Sequence, residues 1–166
     1  MGYSNDSLNV TNHEIVISEI YQHTISDWEI IMDEILIDKI YKLRLSKLPN
    51  ETGGILVGSW DVENKRIYIL DTIIPSDNNE YPTFFYRGVD GLKEQLKKVN
   101  NKTAGVLKYV GEWHSHPDNC STNASNDDLK LLTWLSENMS MENLPAIMLI
   151  MGQNKKHSFY FGSTID

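Results

Sequence analysis

Residues 111–132 have the sequence GEWHSHPDNCSTNASNDDLKLL, which contains the most informative pattern of the chain. His114 and His116 are two residues apart, at the end of a segment that alternates like a β-strand. Side chains on a strand point alternately to its two faces, so both imidazoles are expected on one face. Two neighbouring imidazoles can bind one metal ion, and histidine is a good zinc ligand. Pro117 then ends the strand, because proline has no N–H for the ladder.

A third metal ligand is available in the next segment. A catalytic zinc site has three protein ligands and keeps one position open for water. Ser125-Asn126-Asp127-Asp128 opens a predicted helix, and Asp128 in its first turn can reach the end of the strand. The same pattern is close to a capping box, in which the carboxylate would bind backbone N–H instead. Cys120 is another candidate ligand, although a free loop thiol is the more frequent role of a lone cysteine.

Such a site also needs a proton acceptor that is not itself a ligand. Glu51 stands before the Gly-Gly pair of ETGGILVG, residues 51–58, and is the candidate. Gly53 and Gly54 permit a close backbone approach at the start of the strand, which would press Glu51 against a neighbouring strand. Without these neighbours, Glu51 would be interpreted as an exposed loop carboxylate.

Hydrophobic periodicity predicts one mixed domain. We predict a loop at 75–83, helices over 33–47, 90–100 and 126–138, and strands over 13–22, 28–32, 53–60, 66–74, 84–87, 106–114, 146–152 and 157–162. Helices that interrupt a mostly antiparallel sheet predict an α+β fold with three α-β-α layers. Trp60 and Trp134 are expected to be buried or half-buried. Residues 1–12 are polar and are expected to form a flexible N-terminus before a single domain over 13–166.

Composition excludes several function classes. A chain of 166 residues, 40% of them apolar, is typical of one globular domain. The net charge of −8 argues against a nucleic-acid partner, because duplex binding needs clustered Lys and Arg. The sequence has no apolar run of about 20 residues that would span a membrane. We therefore expect a soluble, cytoplasmic protein without a membrane partner.

Three motifs in this order resemble a known family. ETGGILVG, then GEWHSHP, then Ser-x-x-Asp at Ser125 and Asp128 are similar to the motifs of the JAMM (JAB1/MPN/Mov34) metalloproteases, most closely of their prokaryotic JAB branch. The resemblance extends over residues 28–162. It implies an MPN/JAB-like fold, in which a mixed, mostly antiparallel, curved sheet is flanked by helices.

The resemblance also implies the roles of the site residues. His114, His116 and Asp128 would bind Zn²⁺, Glu51 would carry the proton, and Ser125 would donate a hydrogen bond to the oxyanion. Eight residues separate His116 from Ser125, one more than the common family pattern, so Asp127 is the alternative third ligand. Asp128 is preferred because it fits Ser-x-x-Asp and precedes Leu129, which is expected to begin the buried helix face.

The activity implied by the resemblance is that of a zinc metalloprotease acting as an isopeptidase. It would hydrolyse the amide bond after the C-terminal tail of a ubiquitin-like modifier. Chains of this size resemble the deconjugating peptidases of bacterial antiphage (CBASS) operons, which implies a conjugated cGAS-like nucleotidyltransferase as substrate and a link to E1- and E2-like enzymes. Two alternatives stay open: a deubiquitinase-like enzyme of another bacterial ubiquitin-like pathway, and a non-catalytic MPN scaffold module.

Overall fold

The computed structural model describes residues 20–163, which form a mixed sheet with helices on both faces. The strands are β1 (Ile20–Ile25), β2 (Trp28–Asp33), β3 (Gly53–Asp61), β4 (Arg66–Ile73), β5 (Asn79–Glu80), β6 (Phe85–Tyr86), β7 (Lys108–Ser115), β8 (Ala146–Met151) and β9 (His157–Gly162). The helices are α1 (Glu34–Lys47), α2 (Leu92–Lys102) and α3 (Asn126–Ser140), and a 3₁₀ turn covers Gln153–Lys155. The predicted flexible terminus at 1–12 lies outside the described residues, as do residues 13–19 of the first predicted strand.

Seven strands form the main sheet in the order β1-β2-β4-β3-β7-β8-β9. Neighbouring strands run antiparallel, except for the parallel pairs β2–β4 and β7–β8. The predicted mixed, mostly antiparallel sheet is therefore confirmed. Strands β3 and β7 are inner neighbours, so both are held by ladder hydrogen bonds on both sides. Within residues 20–163, no helix has the length and apolarity needed to cross a bilayer.

The sheet is buried on both faces, as β8 shows most simply. Ile147 and Leu149 pack with α1, whereas Met148 and Ile150 pack with α3 on the opposite face. Helix α2 contributes Leu92 to a third cluster with side chains of β3 and β4. Such burial on both faces makes a strand continuously apolar, and β8 has this pattern. The predicted three-layer α-β-α arrangement is confirmed.

Helix α1 begins as predicted but buries an unexpected residue near its end. The Asp33 side chain accepts a hydrogen bond from Leu36 N at 3.1 Å, which makes it the N-cap. The buried face then contains Arg44, while Leu43 is only half-buried. Arg44 is four residues after Ile40, so helical periodicity places it on the apolar stripe. A guanidinium at that place needs polar partners beyond the helix.

Two predicted boundaries are wrong. The segment 75–83 is not entirely a loop, because β5 pairs with β6 and forms a small hairpin, which we call hairpin 79–86. Its strands have two residues each, too short to show a periodicity. The first strand ends at Ile25 rather than at residue 22, because it pairs with β2 up to the turn at Ser26, whose φ is 56°.

Candidate metal centre

The register of β3 and β7 brings the Glu51 segment to the paired histidines. Gly53 lies opposite His114 in the ladder. Beyond it, Thr52 N donates to Ser115 Oγ at 3.0 Å, and Ser115 N donates to Thr52 O at 2.7 Å. Glu51 directly precedes Thr52, just before β3 begins, so the pairing of Thr52 with Ser115 brings Glu51 to the end of β7, where the histidines lie.

Two glycines make this close approach possible. A Cβ atom on Gly53 would lie 2.2 Å from the carbonyl oxygen of Trp113. A Cβ atom on Gly54 would lie 2.4 Å from the carbonyl oxygen of Ile73. Both distances are shorter than any side chain tolerates, so the Gly-Gly pair sets the spacing of the strands next to Glu51.

His114, His116 and Asp128 form a cluster of possible metal ligands. The two Nε2 atoms are 3.3 Å apart. Asp128 Oδ1 lies 3.1 Å from His114 Nε2, and Asp128 Oδ2 lies 3.6 Å from His116 Nε2. Ligands at about 2.0–2.2 Å from a tetrahedral zinc ion stand roughly 3.3–3.6 Å from one another. The three side chains are therefore positioned to bind a metal ion of this kind.

The His116 ring is oriented by a backbone carbonyl. His116 Nδ1 lies 2.6 Å from Ser121 O. Because a carbonyl oxygen only accepts, Nδ1 must donate, and the neutral ring then presents an Nε2 lone pair to the cluster. Carbonyl partners of this kind fix the tautomer of metal-binding histidines in general.

Asp128 takes part in the cluster and caps its helix at the same time. Asp128 Oδ2 accepts from Ser125 N at 2.7 Å, and Ser125 Oγ accepts from Asp128 N at 3.2 Å. This is a complete capping box at the start of α3. The remaining oxygen, Oδ1, is the one nearest His114. A carboxylate has about four lone-pair positions, so the two roles considered from the sequence are compatible.

Asp127, the alternative ligand, lies away from this cluster. Its side chain is 88% exposed and pairs with Lys130 at 2.8 Å. Asp128 points inward because it is four residues before the buried Leu132. The expectation that Leu129 begins the buried face is wrong, since Leu129 is exposed.

A cleft of about 690 Å³ opens above the cluster. Phe84 and Tyr86 of hairpin 79–86 and Trp134 of α3 line this cleft. Trp134 was expected to be buried or half-buried, but it is 55% exposed because it faces this cleft. Cys120 also lines the cleft, yet it does not belong to the ligand cluster found among the described residues.

The pKa values of the two carboxylates in the cleft are driven apart. Burial raises the pKa of Glu51, and electrostatic attraction to the neighbouring imidazoles offsets only part of this rise. Burial alone would also raise the pKa of Asp128, but hydrogen bonds with both histidines outweigh it and hold that pKa far below its usual range. Two carboxyl groups with separated pKa values are suited to two different chemical roles.

Sequence reasoning missed a buried ion pair beside the cluster. Glu112, on the same face of β7 as His114, is 5% exposed. Arg87 Nε donates to its carboxylate at 2.9 Å, and the Tyr109 hydroxyl lies at 3.4 Å. The pair attaches the chain that leaves hairpin 79–86 to β7. The sequence did contain a signal for this pair, because Glu112 is two residues before His114 and so lies on the same face of the strand.

Comparisons with known proteins show the family to which the chain belongs. A family model described as prokaryotic homologs of the JAB domain matches residues 33–161. A protein of Enterobacter hormaechei subsp. hoffmannii (strain UCI 50), named CD-NTase/cGAS isopeptidase, is 33% identical over 139 residues, which are 83% of this chain and 75% of that protein.

Solved structures of similar proteins are more distant. A JAB1/MPN domain protein from Archaeoglobus fulgidus is 20% identical, with a TM-score of 0.44 over 79% of this chain and 90% of that one. A protein from Desulfitobacterium hafniense is 19% identical, with a TM-score of 0.45 over 78% of this chain and 80% of that one. The family model and the Enterobacter relative confirm the resemblance stated from the motifs. The chain belongs to the family of prokaryotic homologs of the JAB domain.

Proposed function

We propose that this chain is a zinc-dependent isopeptidase that hydrolyses the amide bond after the C-terminal tail of a protein modifier. The observation that carries the proposal is the triangle of His114, His116 and Asp128, with ligand atoms 3.1–3.6 Å apart at the base of an open cleft. Two imidazoles and one carboxylate are a donor set that suits zinc and leaves a position for solvent. The membership in the JAB family supports the assignment as a hydrolase.

The residues around the cleft have separate roles in the proposed hydrolysis. A zinc ion held here would supply a Lewis acid that polarises the scissile carbonyl and acidifies water near neutral pH. Glu51 takes a proton from the attacking water and delivers it to the leaving amine as the C–N bond breaks. Ser125 Oγ accepts a hydrogen bond from Asp128 N, so its own hydroxyl hydrogen is still available for donation. The Ser125 hydroxyl donates this hydrogen to the scissile carbonyl oxygen, which becomes the oxyanion of the tetrahedral intermediate.

The proposed substrate is a conjugated cGAS-like nucleotidyltransferase, with a ubiquitin-like modifier as the second candidate. The name of the Enterobacter relative, CD-NTase/cGAS isopeptidase, supports the first. We further propose that the chain acts in the bacterial cytoplasm in antiphage defence, where E1- and E2-like enzymes form the conjugates that it reverses or trims.

Cleavage of two matched fusions tests this proposal. One fusion joins the C-terminal tail of the cGAS-like nucleotidyltransferase encoded nearest this chain's gene to a fluorescent protein. The other carries the tail of a ubiquitin-like protein in its place. We expect cleavage after the last residue of the nucleotidyltransferase tail, loss of cleavage with a chelator, and recovery with zinc. Zinc binding without cleavage of either fusion would contradict an isopeptidase and favour a scaffold module.

Zinc binding is expected to weaken as the pH falls. Burial alone would lower the pKa of His116, but its hydrogen bonds with Asp128 and with the Ser121 carbonyl raise it above the usual value. A raised pKa means that the ring keeps its proton up to a higher pH, and zinc must displace that proton. Below the pKa, affinity should fall about tenfold for each pH unit. Chelator competition between pH 5 and pH 8 measures this slope; an affinity that does not change over the range would contradict it.

The exposed aromatic side chains of the cleft are expected to bind the substrate tail. Trp134 is 55% exposed and Tyr86 is 67% exposed, and both line the cleft. Replacing Trp134 with alanine should raise KM about 5- to 30-fold and leave kcat unchanged, because the ring contacts the tail and not the reacting atoms. Met141→Ala is the control, since Met141 is 85% exposed and lies just beyond α3. A fall in kcat at constant KM would refute this role.

A further inference from the structure

Arg44 is a charged residue on the buried, otherwise apolar face of α1. It is 0% exposed, on the face of α1 that also buries Leu36, Ile37 and Ile40. A buried ion pair is weak evidence for stability, because removing its charges from water offsets their attraction. The contacts of the guanidinium therefore indicate what the arginine does.

Both hydrogen bonds of this guanidinium go to the segment that begins the loop after β7. Arg44 Nε donates to His116 O at 2.9 Å. Arg44 Nη2 donates to Asp118 Oδ1 at 2.6 Å, and the Asp118 side chain is 48% exposed. Arginine can hold two such acceptors at once, because its planar fork fixes the directions of its donors. Arg44 thereby attaches helix α1 to the backbone of His116, which is one of the proposed metal ligands.

His116 is then fixed at three points. Its backbone N donates to Met151 O at 2.9 Å, its carbonyl accepts from Arg44, and its ring Nδ1 bonds to Ser121 O. Ser121 lies in the same loop that Arg44 holds through Asp118. With these contacts made, Nε2 is the ring nitrogen that faces His114 and Asp128.

We propose that Arg44 is a positioning residue for the metal centre. It holds the backbone of His116 and the first turn of the loop over 117–124, so that Nε2 is presented at the distance a metal needs. This inference rests on the proposed zinc site. It adds that α1, on the other side of the core, determines how tightly the ion is bound.

Zinc affinity of Arg44 variants tests the proposal. Arg44→Met should weaken zinc binding about 10- to 100-fold, the range typical for partners that orient a metal-binding histidine. Arg44→Lys should be intermediate, because one ammonium cannot reproduce the two-point fork. Asp118→Asn, which changes an exposed partner, should weaken binding less than Arg44→Met and keep the chain folded. Lys39→Met is the matched control on the same helix, since Lys39 is exposed and pairs with Asp71.

Two readouts separate positioning from a merely structural role. Chelator competition gives the zinc affinity, and the absorption bands of the cobalt-substituted protein report the ligand geometry. We expect the absorption bands of cobalt-substituted Arg44→Met to differ from those of the wild type, and those of Asp118→Asn to differ less. A lowered Tm of the metal-free variants with wild-type affinity and wild-type bands would overturn it. If Arg44→Met does not fold, wild-type affinity and bands in Asp118→Asn overturn it instead.

The same experiment distinguishes this inference from the proposed function. His116→Ala serves as the reference for a lost ligand. If the wild-type chain binds no zinc, or if His116→Ala binds it as tightly as the wild type, the zinc site itself is wrong. If His116→Ala loses zinc and the Arg44 variants do not, only the role of Arg44 is wrong.

Discussion

Replacing Glu51 with glutamine should lower the rate of amide hydrolysis about 10²- to 10⁴-fold, the usual contribution of a positioned proton carrier. Glutamine has nearly the same shape but cannot take a proton from water. Glu51 lies beside the cluster of His114, His116 and Asp128 and is not one of its members. Zinc content and folding should therefore remain as in the wild type. Metal analysis and cleavage kinetics on the same preparation provide the measurement.

Glu63→Gln is the matched control for this change. Glu63 is exposed in the turn between β3 and β4, so the same substitution there should alter neither activity nor zinc content. Wild-type turnover in Glu51→Gln would remove Glu51 from the mechanism. Loss of zinc together with activity would instead make Glu51 a ligand.

Replacing Asp128 with asparagine should weaken zinc binding by more than the roughly 10- to 100-fold that follows loss of a partner that only orients a ligand. The asparagine oxygen can still accept the hydrogen bond from Ser125 N, so the cap of α3 is largely kept. The substitution thus removes the negative ligand while it preserves the helix start. Hydrolysis should be lost with the metal.

Asp127→Asn is the control for the choice between the two neighbouring aspartates. Asp127 is 88% exposed, and its carboxylate accepts a hydrogen bond from the side chain of Lys130. We expect wild-type zinc affinity and activity from this variant. The opposite pattern, with zinc lost in Asp127→Asn and retained in Asp128→Asn, would shift the ligand assignment by one residue. Chelator competition and thermal unfolding of both metal-free variants separate affinity from stability.

The parts of the site that could be predicted depend on local periodicity. The spacing of His114 and His116 fixes both rings on one face of a strand, whatever the rest of the fold does. The Gly-Gly pair indicated a close approach, and the pairing of Gly53 with His114 shows which strand approaches. The preference for Asp128 agrees with the geometry, although its stated reason, a buried Leu129, does not.

The parts that could not be predicted depend on long-range packing. Arg44 near the end of a helix equally suits an exposed cation that interacts with the helix dipole, and only the fold shows that the loop after His116 lies within its reach. Trp134 is a large aromatic residue of the kind that usually packs in a core, but here it lines the cleft and about half of it is exposed. Hairpin 79–86 has strands too short for any pattern and is held by non-local bonds such as that from Glu51 N to Tyr81 O at 2.9 Å.

X-ray absorption at the zinc edge of the purified, zinc-loaded chain measures the proposed ligand set itself. We expect one zinc ion per chain, with nitrogen and oxygen ligands at about 2.0–2.2 Å and scattering from two imidazole rings. A sulfur ligand at about 2.3 Å, which would implicate Cys120, would contradict the ligand set. So would a chain that retains no zinc.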